Sequence, residues 1–420
     1  MRRTRDLLAI TLLLTLAAAA LVGCTATVSG VATKVRASDE ANVALMDTGA
    51  YPTAGGHPFG PAGDDVTLRG YLEGQRMAEY VVGPWQVDVA LRQRPPVETA
   101  IQNGAIGSAH DLDRILDDPL PGIAGAHGFI AGFSSQRVSA TGTPRGLLNA
   151  VLRFPDPGAA SAAATEMAAA NPTGPAESPH QPVAIRDHPE ALATTYTLAD
   201  RTMVQSFAAH GPYVLHQYAY VAKTNEILGI SAENMVFDAL IQQQKQIDHF
   251  QPTDPARLGD LPKDPTGKVL AETLYGDGVA QPVMIGAWGS KAWLHFENDP
   301  VQAATLFGGS GVDWVTQRLA TVYQARDEDA AGQLADRIAD DIDKTAGAKA
   351  FGGVPGLPGA RCFMRTKDFL PPTAAATWRW VAWHYKCVAS ADRYAYTVFS
   401  NDKKDVMQQV SAQYRMLAGK

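Results

Sequence analysis

The sequence predicts an α+β protein of two tandem, duplicated modules, each a mainly antiparallel sheet covered by helices. Three observations carry this expectation. A strand running into an acid-started helix recurs after about 170 residues, a strand pair followed by an amphipathic helix recurs at the same offset, and a proline-rich stretch separates the copies. In the first copy, Leu147–Phe154 is apolar and strand-like and leads through Asp156-Pro157-Gly158 into an alanine-rich helix ending near Asn171. In the second, Leu319–Ala325 leads through Asp327-Glu328-Asp329 into a helix reaching about Lys344. Acidic residues at both starts suit the positive end of a helix dipole.

The second recurrent unit begins with Thr202–Ala208 and Tyr213–Ala222, joined by His210-Gly211-Pro212. Its counterpart is Trp378–Val388 and Tyr394–Ser400, joined through Ala389 to Asp392. Each pair precedes an amphipathic helix, at about Ala232–Ile247 and Lys403–Leu417. Asp156 to Ala232 is 76 residues and Asp327 to Asp402 is 75, so the spacing is kept. Helices are expected over one face of each sheet. Gln251 to Thr266 holds Pro252, Pro255, Pro262 and Pro265 and marks the boundary between a first module at 46–255 and a second at 256–420. Residues 46–130, rich in Gly and Pro, read as a long ordered-loop region with a helix around Leu72–Tyr80.

The N-terminus reads as an export address. Arg2, Arg3 and Arg5 form a basic start, and Leu7–Leu21 is an uncharged run of about fifteen residues, short of the roughly twenty that span a bilayer. The run ends in Leu21-Val22-Gly23-Cys24, a lipobox. Residues 1–23 are therefore expected to be a lipoprotein signal peptide, cut before Cys24, whose thiol carries diacylglycerol; further acylation of the palmitate type makes the anchor firm. Residues 24–45, rich in Thr, Ala, Ser and Val, are expected to be a flexible tether. The expected location is the outer face of the cell membrane, with the membrane as a partner through the lipid.

Hydrophobic residues make up 46% of the 420, enough for real cores. Arg2, Arg3, Arg5 and Asp6 contribute a net +2 to the total of −7, so the remainder is near −9. Scattered acidic charge leaves no footprint for nucleic acid and no polybasic patch for anionic lipid. Assigning Cys24 to lipid leaves Cys362 and Cys387 as an even pair, expected to form a disulfide in an oxidising compartment. The rival, a metal or redox site, lacks a CxxC motif and further ligands at suitable spacing.

No catalytic constellation is visible, and no cofactor or metal is expected. The ten histidines form no HExxH and no H-x-x-x-H pair; Gly308-Gly309-Ser310-Gly311 has the wrong spacing for a nucleophile elbow. Asp336, Asp340, Asp341 and Asp343 read as a solvated helix face beside Arg337 and Lys344. Trp378, Trp380 and Trp383 are the candidate ligand-contact aromatics. On a strand, Trp378, Trp380 and His384 share one face, and Trp383, Tyr385 and Cys387 share the other. The alternative is a strand packed on both sides against a helix and the disulfide.

The lipobox, Asp47-Thr48-Gly49-Ala50-Tyr51-Pro52-Thr53, Glu73-Gly74-Gln75-Arg76-Met77-Ala78, and the cysteines in Arg361-Cys362-Phe363 and Lys386-Cys387 together resemble a family of uncharacterised lipoproteins from mycobacteria and related actinobacteria. The resemblance covers nearly the whole mature chain. It implies an envelope location and a two-part layout, and it carries over no activity or catalytic residue. The function expected is a non-enzymatic binding or interaction protein of the cell envelope, taking an unknown envelope protein, lipid or glycan. The alternatives are a carrier for an apolar ligand, with a cavity lined by residues such as Trp380, Trp293 or Phe296, and an envelope hydrolase whose triad assembles only in space.

Overall fold

The computed structural model describes residues 41–95, 102–139, 144–171, 178–226, 229–276, 284–365 and 383–419. Cys24, Trp378 and Trp380 lie outside them. The first module runs α1 (Val66–Met77), β1 (Gly104–Ile106), α2 (Leu120–Ala126), β2 (Ala131–Val138), β3 (Arg145–Arg153), α3 (Pro157–Ala170), β4 (Gln181–Val183), β5 (Ala191–Leu198), β6 (Arg201–His210), β7 (Tyr213–Ala222) and α4 (Ala232–Ile247). The second runs β8 (Gly286–Gly289), α5 (Pro300–Ser310), β9 (Trp314–Gln317), β10 (Thr321–Gln324), α6 (Glu328–Asp343), β11 (Ala348–Phe351), β12 (Arg361–Arg365), β13 (Tyr385–Ala391), β14 (Tyr394–Ser400) and α7 (Lys403–Ala418).

From β1 and β8 onward the two modules match element for element. The first sheet is ordered β1-β2-β3-β7-β6-β5-β4 and the second β8-β9-β10-β14-β13-β12-β11, with every pairing antiparallel. The helix starts repeat as well. Asp156 caps α3 through the Ala159 N–H, and Asp327 caps α6 through the Ala330 N–H. Ser231 and Asp402 likewise cap α4 and α7. A side-chain oxygen at each start satisfies an N–H group the helix leaves open.

The helices cover both faces of each sheet, which corrects the expectation of one. In the first module Leu148, Leu152 and Phe207 pack toward α3, while Leu147, Val151 and Val204 pack toward α4. In the second, α6 lies over Val388 and Ala395, and α7 lies over Val322, Tyr396 and Val398. The cause is visible in β3, where eight of nine residues are buried, a pattern that alternation cannot produce with one face wet.

The modules share a continuous core. Met77, Leu91 and Phe133 of the first pack with Trp288, Trp293 and Phe296 of the second in one cluster. The rings of Trp288 and Phe296 lie 4.8 Å apart, and Phe133 meets both. An apolar boundary of this kind holds two domains as one body.

Two boundaries differ from expectation. Residues 41–45, placed in the tether, are ordered: Asn42 donates its N–H to the Gly356 carbonyl at 2.8 Å and opens a short 3-10 turn at Val43–Leu45. Residues 46–51, placed in the first module, dock on the second. Met46 and Tyr51 join the α7-side cluster, and the Tyr51 hydroxyl donates to Asp405 at 2.7 Å. The strand expected over Trp378–Val388 is described from Tyr385. A bend at His384 breaks the alternation, so Trp383 packs toward α6 while Cys387 packs toward α7.

Candidate functional site

Where the modules meet, a cleft of about 690 Å³ opens between a loop of the first and the α6 face of the second. One wall is apolar, made by Leu306 and Phe307 of α5, Leu334, Ile338 and Ile342 of α6, and Trp383. The other is charged. Arg94 reaches in from the first module, and Glu297, Arg365 and Lys386 come from the second. Pockets of this size between domains suit small ligands.

The charged wall is held from behind by a crossing between modules. Arg137 of β2 is fully buried and its Nη2 donates to the carbonyls of His295 and Glu297, each at 2.8 Å. These bonds fix the 3-10 turn Leu294–Phe296, which Glu297 ends; the Glu297 carboxylate accepts from the Trp293 indole N–H at 2.7 Å and the Tyr323 hydroxyl at 3.0 Å. The Arg137 Nε and Nη1 find no hydrogen-bond partner among the described residues. Burial and the neighbouring Arg94 charge push the Arg137 pKa well down.

Arg94, Arg365 and Lys386 gather near the engaged Glu297 carboxylate. Burial pushes the Arg94 pKa down to about 10. Burial, with Arg94 and Arg365 adding to the fall against the pull of Glu297, brings Lys386 down to about 8. The Arg365 guanidinium lies 5.3 Å from the centre of the Trp383 ring. At the rim, Asp299 caps α5 and lies 3.6 Å from Arg92, and Asp341 accepts from Gln302 at 2.6 Å. Burial and Glu297 raise the Tyr323 pKa well above the phenol range, so Tyr323 stays a donor.

A serine and a histidine do meet in space. The His295 Nδ1 lies 2.8 Å from the Ser135 hydroxyl, and its Nε2 lies 3.2 Å from the Ala78 carbonyl. The carbonyl needs a proton from Nε2, which leaves Nδ1 to accept from the serine. Both side chains are buried, and His295 packs between Trp85 and Phe133. Burial pushes the His295 pKa down to about 3. This pair spans the module boundary and is closed off from solvent. Among the described residues, no group of three or more His, Cys, Asp or Glu is placed to hold a metal.

A family model described as the N-terminal part of a domain of unknown function, DUF7373, matches residues 60–263, and its C-terminal partner matches 266–420. The chain belongs to the DUF7373 family. No curated protein matches it. Among solved structures, it is similar to the extracellular domain of PknH from Mycobacterium tuberculosis, with 11% identity and a TM-score of 0.28 over 42% of this chain and 97% of that one.

In this DUF7373 chain, two of the motifs that carried the resemblance serve architecture. Glu73 is fully buried and binds Arg153 at 2.5 Å, Arg76 at 2.6 Å and the Thr253 N–H at 2.8 Å, tying α1 to β3 and to the segment between modules. Gln75 donates to the Ile285 carbonyl across the boundary at 3.1 Å. A Cβ on Gly74 would collide with the Gly132 carbonyl, so only glycine lets α1 lie on β2. Asp47 accepts from Gln408 of α7 at 2.9 Å, which seats the other motif.

Of the expected site residues, Trp383 lines the cleft, and Cys362 and Cys387 face each other across β12 and β13 as a disulfide. Trp293 and Phe296, named for a carrier cavity, are closed into the aromatic core. Arg94, Arg137, Glu297, Tyr323, Arg365 and Lys386 were missed. One signal was readable: alternation puts Lys386 on the face opposite Cys387.

Proposed function

We propose that the chain is a lipid-anchored, extracytoplasmic binding protein whose ligand occupies the cleft between its modules. The cleft carries this reading. It combines an apolar wall with a fixed charged wall supplied by both modules, an arrangement that suits recognition. The buried Ser135–His295 pair supplies no accessible nucleophile. A disulfide between Cys362 and Cys387 fits an oxidising compartment, as do the basic start, short apolar run and lipobox before Cys24.

Two experiments test the two halves of the proposal. A Cys24→Ala variant, expressed in a lipoprotein-processing host, is expected to leave the membrane fraction, and the wild-type N-terminal peptide is expected to carry the mass of a diacylglycerol-modified cysteine. An unmodified wild-type peptide sinks the anchor. For the cleft, an Ala303→Trp substitution that fills it should abolish co-purification of whatever ligand or partner crosslinks to the wild type. Unchanged co-purification moves the site elsewhere.

A further inference from the structure

We infer that the cleft takes an amphiphile with a single oxyanion head, the head seated on Lys386 between Arg94 and Arg365, and the apolar body laid along α5 and α6. This rests on the reading of the cleft as a ligand site and specifies its chemistry.

Four observations converge on it. First, Arg94, Arg365 and Lys386 line one part of the cleft and Leu306, Phe307, Ile338 and Ile342 another, with Asp299, Asp341 and Lys344 also in the lining, so a ligand filling it meets both kinds of surface. Second, the carboxylate nearest the cations is already committed, since Glu297 accepts from Trp293 and Tyr323. Third, Lys386 is half-buried and its ammonium makes no hydrogen bond or ion pair among the described residues, although it carries three donors. Fourth, the cleft volume of about 690 Å³ fits a small molecule and not a folded partner. An oxyanion at Lys386 would supply the missing acceptors in a charge-assisted geometry. The alkyl body would bury the exposed parts of Leu306 and Ile338, which face the cleft without an apolar neighbour filling it. The groups facing Lys386 are Glu297, Arg94 and Arg365. An arriving anion reverses their net depression of its pKa, so binding above neutral pH draws in a proton.

The test is calorimetric titration of the intact protein with laurate, dodecyl phosphate, dodecanol and inorganic phosphate, each below its aggregation concentration. Laurate and dodecyl phosphate are expected to bind at least about tenfold tighter than dodecanol. Laurate affinity should fall about fivefold or more from pH 7 to pH 9.5, since ionised laurate requires charged Lys386. Lys386→Met should erase the preference for the acid over the alcohol. Lys386→Arg should keep it and flatten the pH profile, which a merely structural lysine would not do. Equal binding of laurate and dodecanol, lost in Ala303→Trp, would overturn the anionic head while leaving the cleft a ligand site. Binding of inorganic phosphate as tight as dodecyl phosphate would overturn the apolar body. No binding by any of the four, with the Ala303→Trp variant still losing its native crosslinked partner, overturns the amphiphile alone; without that loss the cleft reading falls too.

Discussion

The two modules have one topology and two fillings. In the first, the space between α2 and α3 is packed by Leu112, Leu116, Leu120, Met167 and Phe154. In the second, the matching space beside α5 and α6 is lined by Phe307, Leu334 and Ile342 and opens as the cleft. Strand length differs in the same sense, since β2 and β3 have 8 and 9 residues while their counterparts β9 and β10 have 4 each. The shorter sheet is secured by a disulfide, and the longer one by buried polar contacts. The lesson is that the strand order and helix caps are shared, while what fills one interhelical space decides whether a module is scaffold or site.

One shared device shows how closely the fold repeats. Gln243 of α4 accepts from the Val82 N–H and donates to the Tyr80 carbonyl. Gln413 of α7 accepts from the Leu274 N–H and donates to the Glu272 carbonyl. In each case the last helix clasps the carbonyl of one residue and the N–H two residues on, in the segment that enters the module. Gln243 has an extra partner, Asn149, which in turn accepts from Gln217.

The largest expected effect breaks the polar fastening of the first module. Glu73→Ala strands the buried Arg153 and is expected to cost about 3–5 kcal/mol in urea unfolding. A cost under about 1 kcal/mol would mean that Arg153 relaxes into water. Next, Cys362→Ser with Cys387→Ser opens a loop of 25 residues and should cost about 3 kcal/mol, read as a lower denaturation midpoint without change in the first module's spectroscopic signals.

Acid should act on the module boundary and the first sheet. The pKa of His295 is pushed down to about 3 and that of His216 to about 4, both chiefly by burial. The unfolded chain binds protons at these groups near pH 6.5 and the folded chain does not, so their contribution is full above that value and lost as pH falls toward 4. Stability should drop by about 1.4 kcal/mol per pH unit for each histidine between about pH 6 and pH 4.5. His295→Gln should halve that slope, and an unchanged slope refutes the assignment.

A smaller effect sharpens the comparison directly. Gln243→Ala leaves more buried groups unpaired than Gln413→Ala, so it is expected to cost about 2–3 kcal/mol against about 1–2. Equal costs would deny the extra weight given to Asn149. The smallest is Tyr51→Phe, which removes the hydroxyl donated to Asp405 and should cost about 1 kcal/mol.

Much of this scaffold was legible in the sequence. The expected strand Tyr213–Ala222, helix Ala232–Ile247 and strand Tyr394–Ser400 have the observed limits, because turn residues and capping side chains mark their ends. β1, β4, β8 and β11 were not legible, since three or four residues carry too little alternation to stand out from a loop. The two-faced covering of the sheets was hidden because a strand buried on both sides has no polar period. The site was hidden for a different reason. Arg94, Glu297, Tyr323 and Lys386 come from segments up to about 290 residues apart, and only the shared core brings them together. Trp383 was found by its aromatic neighbours, yet its face was misjudged because a single bend at His384 inverts the count.

The most direct test sets the open space against the closed one. A photo-crosslinking benzoylphenylalanine is placed at Leu306 in the cleft, or at Ile123 over the packed space of the first module, in cells that anchor the protein. A discrete adduct is expected from Leu306, lost when Ala303→Trp is added, and none from Ile123. Equal adducts from both positions, or none from Leu306, would contradict the cleft as the ligand site.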